Sequence, residues 1–487
     1  MKSGVNDMQS CIGRLLSRLS AVRIATSFCV LSLVGLSGCL TAPVYTLSAA
    51  PDPLPCLGPI QSEDTVVGLA VSGGGSRAAL FAAGALEALA QLKLQGGAVS
   101  VLDQVSYISS VSGGSLASAY YVLKKPVREV PMFDAQGRVS TEYQAFFHDF
   151  KEAMARDYEG PLLRRNLLKW RWFNPAFVAK SLIEILEEDY LGEETFADLG
   201  KREMRRDAPR LMVNTTLYND GRRFLLSTIP RQDLRYDWSR VLSGGSSVKL
   251  SPGYLEGIRK RGEDLDTMTP QDLHLNVCNT NVAASVAGSM SFPPIIGPIS
   301  LMDQKERRYW HVGDGGMSDN TGAESLLWMI LRQMQEGKLR RGLIIVIDSS
   351  FPFDVGREEL NHRQDAFSLF SYDYSRIPAI MEERSLAYRA LFLSLAQQLD
   401  VVPGPERILA IRLRHTDAQW AQDLSDLPGS CIEEKVNWKS PKDVVGRLAG
   451  VVTRLWLEST CDRDLVLTSA AKVVQQNAGK IRAFLEQ

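Results

Sequence analysis

The spacing of apolar and polar positions changes character along the chain. Residues 65–72, TVVGLAVS, form an unbroken apolar run with the length of a strand buried on both faces. GGGSR follows, and then AALFAAGALEALAQL, a strong helix former. The rhythm repeats at once, with VSYISSVS as strand and GGSLASAYYVL as helix. LMVNTTLYN and RRFLLST read as two strands paired around the Asn219-Asp220-Gly221-Arg222 turn. Farther on, RRYWHV leads through GDGG to the helix ESLLWMILRQM and the buried strand GLIIVIDSS. Strands alternating with helices predict an α/β protein, a three-layer α/β/α sandwich. Ligands in such sheets bind at the carboxyl ends of the strands, where Gly73–Gly75, Ser112 and Asp314 all fall.

Two segments depart from that rhythm. Residues 125–206 predict a helical insertion, in which Asn174-Pro175 marks a helix start because proline lacks the amide that this position leaves unused. Residues 355–487 read as a mostly helical extension packed on the core, including SRIPAIMEERSLAYRALFLSLAQQL and the closing LTSAAKVVQQNAGKIRAFLEQ. The catalytic core is expected over 64–354. The five prolines between 40 and 62 read as part of a tether over 39–63.

The first 38 residues have the charge order of a secretory signal: Arg14, Arg18 and Arg23 precede an apolar stretch from Ile24 to Leu36 that is short for a bilayer span. Leu36-Ser37-Gly38-Cys39 resembles the lipobox of bacterial lipoproteins. That resemblance implies cleavage before Cys39, its acylation and a place in the cell envelope. Leu40 after the cysteine favours the outer membrane of a Gram-negative cell. Cleavage would remove Lys2, Arg14, Arg18, Arg23 and Asp7, moving the net charge from −1 to −4. Near-neutral charge without a long basic run argues against nucleic acid as a partner. Export permits disulfides, and Cys431 with Cys461 is the favoured pair, with two free buried thiols as the alternative. No Cys/His ligand spacing predicts a metal, and no cofactor motif is complete: Ala78 stands where a dinucleotide fingerprint needs glycine, and no Gly-Lys-Ser/Thr follows.

Three glycine turns carry the chemistry. Ser110-Val111-Ser112-Gly113-Gly114 places a serine on a strand-to-helix turn flanked by residues small enough for the chain to reverse, with Ser110 where the usual pattern has glycine. Gly73-Gly74-Gly75-Ser76-Arg77 opens a helix with unobstructed amides that can hold an anion, and Arg77 can brace that loop or attract a head group. Asp314-Gly315-Gly316 supplies a carboxylate just after a strand.

Taken along the chain as Gly73–Arg77, the Ser112 elbow and Asp314-Gly315-Gly316, with VAASVAGSMSFPPI at 282–295 between the serine and the aspartate, these turns resemble the patatin-like phospholipases over residues 64–350. The resemblance implies a Ser112–Asp314 dyad acting on lipid esters through an acyl-enzyme, with membrane phospholipid as substrate and no cofactor. An oxyanion hole is expected from Gly73–Arg77, with the amides of Gly74 and Gly75 foremost and Ser76 as a further donor. Acyl transfer to an alcohol and a non-catalytic lipid-binding scaffold are the alternatives. A Ser-Asp-His triad would need His362 or His415, which follow Asp314 in the hydrolase order; His148 and His274 precede the motif, and His311 should face away from Asp314. LLRRNLLKWRWFNPAFVAKSL, 162–182, mixes leucines, Trp170 and Trp172 with five basic residues. It reads as a lid or membrane-contacting flap, or as a helix packed on the core with a solvated edge.

Overall fold

The computed structural model describes residues 43–47, 54–97, 99–171, 174–237, 266–293, 296–303, 307–351, 404, 406–434 and 436–487, with isolated positions within 253–260 and 380–387. The leader with Cys39, Trp172, His362 and most of the SRIPAIMEE stretch lie outside the described residues.

The alternation seen in the sequence is realised as β2 (Glu63–Val71), α1 (Gly75–Gln91), β3 (Val105–Val111) and α2 (Gly113–Lys124). The insertion supplies α3 (Thr141–Ala155), α4 (Glu159–Leu168), α5 (Pro175–Leu186) and α6 (Phe196–Met204). Pro175 opens α5, and the Asn174 side chain accepts the Ala176 amide at 3.1 Å. The hairpin β4 (Arg210–Leu217) and β5 (Arg223–Ser227) follows. Then come α7 (Val282–Ser289), β6 (Ile299–Asp303), β7 (Tyr309–Asp314), α8 (Ala323–Gln335) and β8 (Leu339–Asp348).

One mixed sheet runs through the protein in the order β1-β6-β7-β4-β3-β2-β8-β9, with β5 antiparallel to β4 off this path. Period-two alternation divides its side chains between two cores. Val67, Leu69 and Val71 face α1, α2 and α3, whereas Val66 and Ala70 face Leu326, Met329 and Ile330 of α8. Three layers result, as the sequence predicts.

Two boundaries differ from the sequence reading. The tether is shorter than expected: Val44–Leu47 forms β1, an edge strand parallel to β6, and Leu54, Cys56 and Ile60 are buried. A disulfide joins Cys56 to Cys278, 222 residues away, which no spacing rule signals. The C-terminal segment is also more than an extension, because β9 (Ile408–Arg414) pairs in parallel with β8 throughout. Two longer helices follow it, α9 (Pro441–Gly450) and α10 (Thr460–Leu485), after a short one at Gly429–Glu433, and Ala470 and Leu467 of α10 pack against Gly84 of α1. The disulfide Cys431–Cys461 forms as the favoured pairing had it.

Candidate functional site

Strand register builds the site. β3 runs parallel to β4, and its last pairing is Val111 with Asn214. β7 runs antiparallel to β4, and its last residue, Asp314, pairs with Thr215. The two strands therefore meet carboxyl end to carboxyl end alongside β4, and the chain leaves the sheet at Ser112 from one side and at Asp314 from the other. An all-parallel sheet would not create this head-on junction.

Ser112 leaves β3 with φ 51° and ψ −125°. Such a conformation costs a residue with a side chain about 1–3 kcal/mol and marks a nucleophile elbow. Close approach explains its glycines: a Cβ on Gly113 would overlap the Gly75 carbonyl, and one on Gly114 would sit 2.5 Å from the Ser72 carbonyl oxygen. Ser110, in the first small position, is buried and donates to the Met212 carbonyl at 3.3 Å.

The strained turn is braced from below. The Ser112 amide donates to Ser289 Oγ at 2.8 Å, and Ser289 Oγ donates to the Asn214 carbonyl at 2.6 Å. The Asn214 amide group donates to Ser109 Oγ at 2.8 Å and to the Ser110 carbonyl at 3.0 Å, while its oxygen accepts from Ser325 Oγ at 2.6 Å. Sequence reasoning marked the 282–295 segment but missed Ser289 and Asn214 as positioning groups. Their only signal is the run of small residues, which indicates close packing without naming a partner.

Asp314 is buried, and the Ser112 side chain is near enough to its carboxylate to act on its pKa. Desolvation raises its pKa to about 7; the Gly316 amide, donating to Oδ1 at 2.7 Å, and the Ser112 hydroxyl oppose that rise. Thr216 Oγ1 donates to the Asp314 carbonyl at 2.8 Å, and the Asp314 amide donates to Ser291 at 3.0 Å, so the turn is fixed on both sides. Gly315 lies against the Asn214 carbonyl, leaving no room for a side chain.

The third turn is narrower in function than its sequence suggests. The Gly73 amide donates to the Asn320 carbonyl at 2.9 Å, and the Ser76 amide donates to the Arg454 carbonyl at 2.8 Å. Neither is free for an anion, which corrects the expectation for Gly73 and Ser76. Arg77 does not face the opening either: its buried guanidinium donates to the carbonyls of Ser349, at 3.0 Å, and Val451, and to Thr453 Oγ1 at 3.3 Å. Among the described residues no partner is found for the amides of Gly74 and Gly75. Both glycines have positive φ, 141° and 61°, and the loop is close enough that a Cβ on Gly73 would lie 3.2 Å from Ser112 Cβ. A strap at 451–454, far along the chain, thus presses on the back of the glycine loop.

The histidines stay apart from this pair. His415 is buried after β9 and is held neutral by burial and by the Arg77 charge, with its ring edge-on to Phe81. His311 lies three residues before Asp314 on β7, hence on the other face, with Nδ1 2.9 Å from Ser300 Oγ. His148 lies on α3, and His274 follows a short 3₁₀ turn. No histidine among the described residues bonds to Ser112 or Asp314.

A nucleophile elbow, a buried carboxylate beside it and a glycine loop with two amides unpaired among the described residues define the class of site. The profile of the patatin-like phospholipases matches residues 69–327, more than half of the chain, and the chain belongs to that family. Human GIVD cytosolic phospholipase A2, solved with a methyl gamma-linolenyl fluorophosphonate inhibitor and terbium chloride, is similar at 15% identity and a TM-score of 0.43; the match covers 87% of this chain and 59% of that one. VipD from Legionella pneumophila is similar at 14% identity and a TM-score of 0.33, over 86% of this chain and 68% of that one. A search of the curated proteins found no significant sequence match.

Proposed function

We propose that the chain is a phospholipase-type lipid acyl hydrolase, cleaving carboxylic esters through a Ser112–Asp314 dyad and a covalent acyl-enzyme. One observation carries this reading: beside the Ser112 elbow stands a buried carboxylate, Asp314, whose pKa burial raises to about 7. An ordinary aspartate near 3.9 is too weak a base for a hydroxyl, and tuning toward the working pH improves proton transfer.

In the first half-reaction Ser112 Oγ attacks the ester carbonyl carbon while Asp314 takes its proton. The amides of Gly74 and Gly75 hold the oxyanion of the tetrahedral intermediate. Collapse breaks the bond to the alcohol, which leaves with the proton from Asp314. Water then attacks the acyl-enzyme and gives a proton to Asp314; as the bond to Ser112 Oγ breaks, Asp314 passes that proton to Oγ and the fatty acid leaves. Losing one oxyanion donor typically costs about 3 kcal/mol in the barrier, so two free amides are a substantial contribution.

A fluorophosphonate probe is expected to label Ser112, and Ser112→Ala to abolish hydrolysis of a soluble short-chain ester. Full hydrolysis by Ser112→Ala would overturn the dyad. Mass spectrometry of products from a mixed lipid extract identifies the head group cleaved and separates free fatty acid from acyl transfer. On the resemblance of Leu36-Ser37-Gly38-Cys39 to a lipobox we also propose that acylation at Cys39 anchors the chain in the cell envelope, in the outer membrane if the cell is Gram-negative. Metabolic labelling with a radioactive fatty acid should be lost in Cys39→Ala.

A further inference from the structure

Helix α4 buries one leucine and an asparagine and leaves three leucines exposed. Leu162 and Asn166 face inward, and Asn166 Oδ1 accepts from Ser181 Oγ at 2.8 Å. Leu163, Leu167 and Leu168 face solvent, and Trp170 beyond the helix is 82% exposed. Leu163 and Leu167, four residues apart, share one face of the helix with Leu168 beside them, and Trp170 follows past the helix end at positive φ. Such a patch on a soluble surface marks a contact.

Ion pairs tie this helix to the next one. Arg165, Lys169 and Arg171 converge on Glu184 of α5, at 3.4, 2.7 and 3.0 Å. Arg165 also meets Glu188 at 2.5 Å.

Position says what covers this face. Tyr45 of β1 feels the charges of Glu184, Glu187 and Arg171, so β1 begins beside the same hairpin. Val44, itself exposed, pairs with Ser300 of β6, and the Gly297 amide donates to the Pro175 carbonyl at 2.9 Å. Half-exposed Phe292 adjoins this segment, and its neighbour Ser291 holds the Asp314 amide. The chain upstream of β1 reaches Cys39 within five residues, roughly 17 Å when extended.

We propose that Leu163, Leu167, Leu168 and Trp170 seat the chain on a lipid bilayer, on the side where Cys39 is anchored, with the Phe292 rim of the Ser112 site against the same surface. This rests on the lipid hydrolase reading and names its physical partner. Leucines enter the acyl boundary, Trp170 takes the interface, and exposed Arg164 meets anionic head groups.

The test uses the full acylated chain in vesicles of phosphatidylethanolamine and phosphatidylglycerol. Brominated lipids should quench a tryptophan component that disappears in Trp170→Phe. Leu167→Ser with Leu168→Ser should lower hydrolysis of vesicle phospholipid by about tenfold or more, with a soluble ester hydrolysed within about twofold of wild type. Unchanged quenching in Trp170→Phe with unchanged vesicle hydrolysis would overturn the proposal. So would equal loss on both substrates with a lowered Tm, or a lipid-free dimer that the serine variant dissociates. Quenching does not depend on catalysis, so a chain quenched at Trp170 but inert toward every ester would sink the hydrolase reading and leave the surface standing.

Discussion

Asp314 and Asp348 end neighbouring layers of chemistry on the same sheet, and their environments send them in opposite directions. Each is the last residue of a strand and each is buried. Burial raises Asp314 to about 7, and the groups that oppose the rise are an amide and a hydroxyl, with no cation contributing among the described residues. Burial would raise Asp348 too, but Arg412 of β9 approaches its Oδ2 at 2.5 and 2.6 Å, and Ser350 donates twice to its Oδ1. Its carboxyl is held below the ordinary range. A buried carboxylate becomes a base when the fold withholds a cation, and a structural anchor when the fold supplies one.

The anchor also serves the site at a distance. The carbonyl of Ser349, next to Asp348, accepts from Arg77, and the Ser349 amide donates to Ser72 Oγ at 2.8 Å. The strap at 451–454 holds Arg77 and Ser76 from the other side. Asp348 and its surroundings thus back the loop on whose front Asp314 and Ser112 meet.

The sharpest way to break the comparison is to neutralise each carboxylate. Asp314→Asn should lower kcat by about three orders of magnitude or more, as removal of a base from a catalytic pair does. Asp348→Asn should keep most activity in the protein that remains folded. If the two variants lose activity equally, the distinction fails.

Stability should move the other way. The pKa of folded Asp314 exceeds the unfolded value near 3.9, so its ionisation costs stability as pH rises from about 4 to about 7, on the order of 4 kcal/mol. Asp314→Asn should therefore raise the urea midpoint at pH 8 and leave it unchanged at pH 4. The depressed Asp348 contributes stability above about pH 4 that is lost as pH falls through its folded pKa. Asp348→Asn should lower the midpoint at pH 8. Equal shifts of one sign would refute the electrostatic contrast.

Next comes the strap. Cys431 and Cys461 close a loop of 30 residues around it. Replacing both with alanine should cost about 3–4 kcal/mol by chain entropy. It should also lower kcat per serine labelled by fluorophosphonate, because Arg77 and Ser76 lose a fixed partner. An unaltered kcat per labelled serine would show that the strap contributes stability alone.

The smallest effect is the pH profile. Ionised Asp314 is the base, so kcat should rise with pH through about 7 and then level. A limb near pH 4 would mean that the carboxylate is wetter than its burial implies.

Much of the site was legible because its constraints are local. A serine at positive φ needs small neighbours, and a loop with free amides needs glycine. Those requirements appear as SVSGG, GGGSR and DGG whatever the rest of the chain does. The helical insertion and α5 were readable for the same reason, since Pro175 and Asn174 act within one turn. Ser289, Asn214 and the strap were not, because a hydroxyl, an amide and a backbone carbonyl take their roles from partners far away in sequence. β1 was hidden likewise: a short strand without a glycine turn acquires identity only by pairing, here with β6.

The sequence by itself determined the three turns, the alternating core and the order in which the reactive groups are carried. Tertiary structure decided which amides remain free, which carboxylate stays without a cation, and that β3 and β7 meet end to end beside β4. Local conformation is written in neighbouring residues, whereas desolvation and hydrogen-bond occupancy depend on which distant groups close over a site once the sheet is assembled.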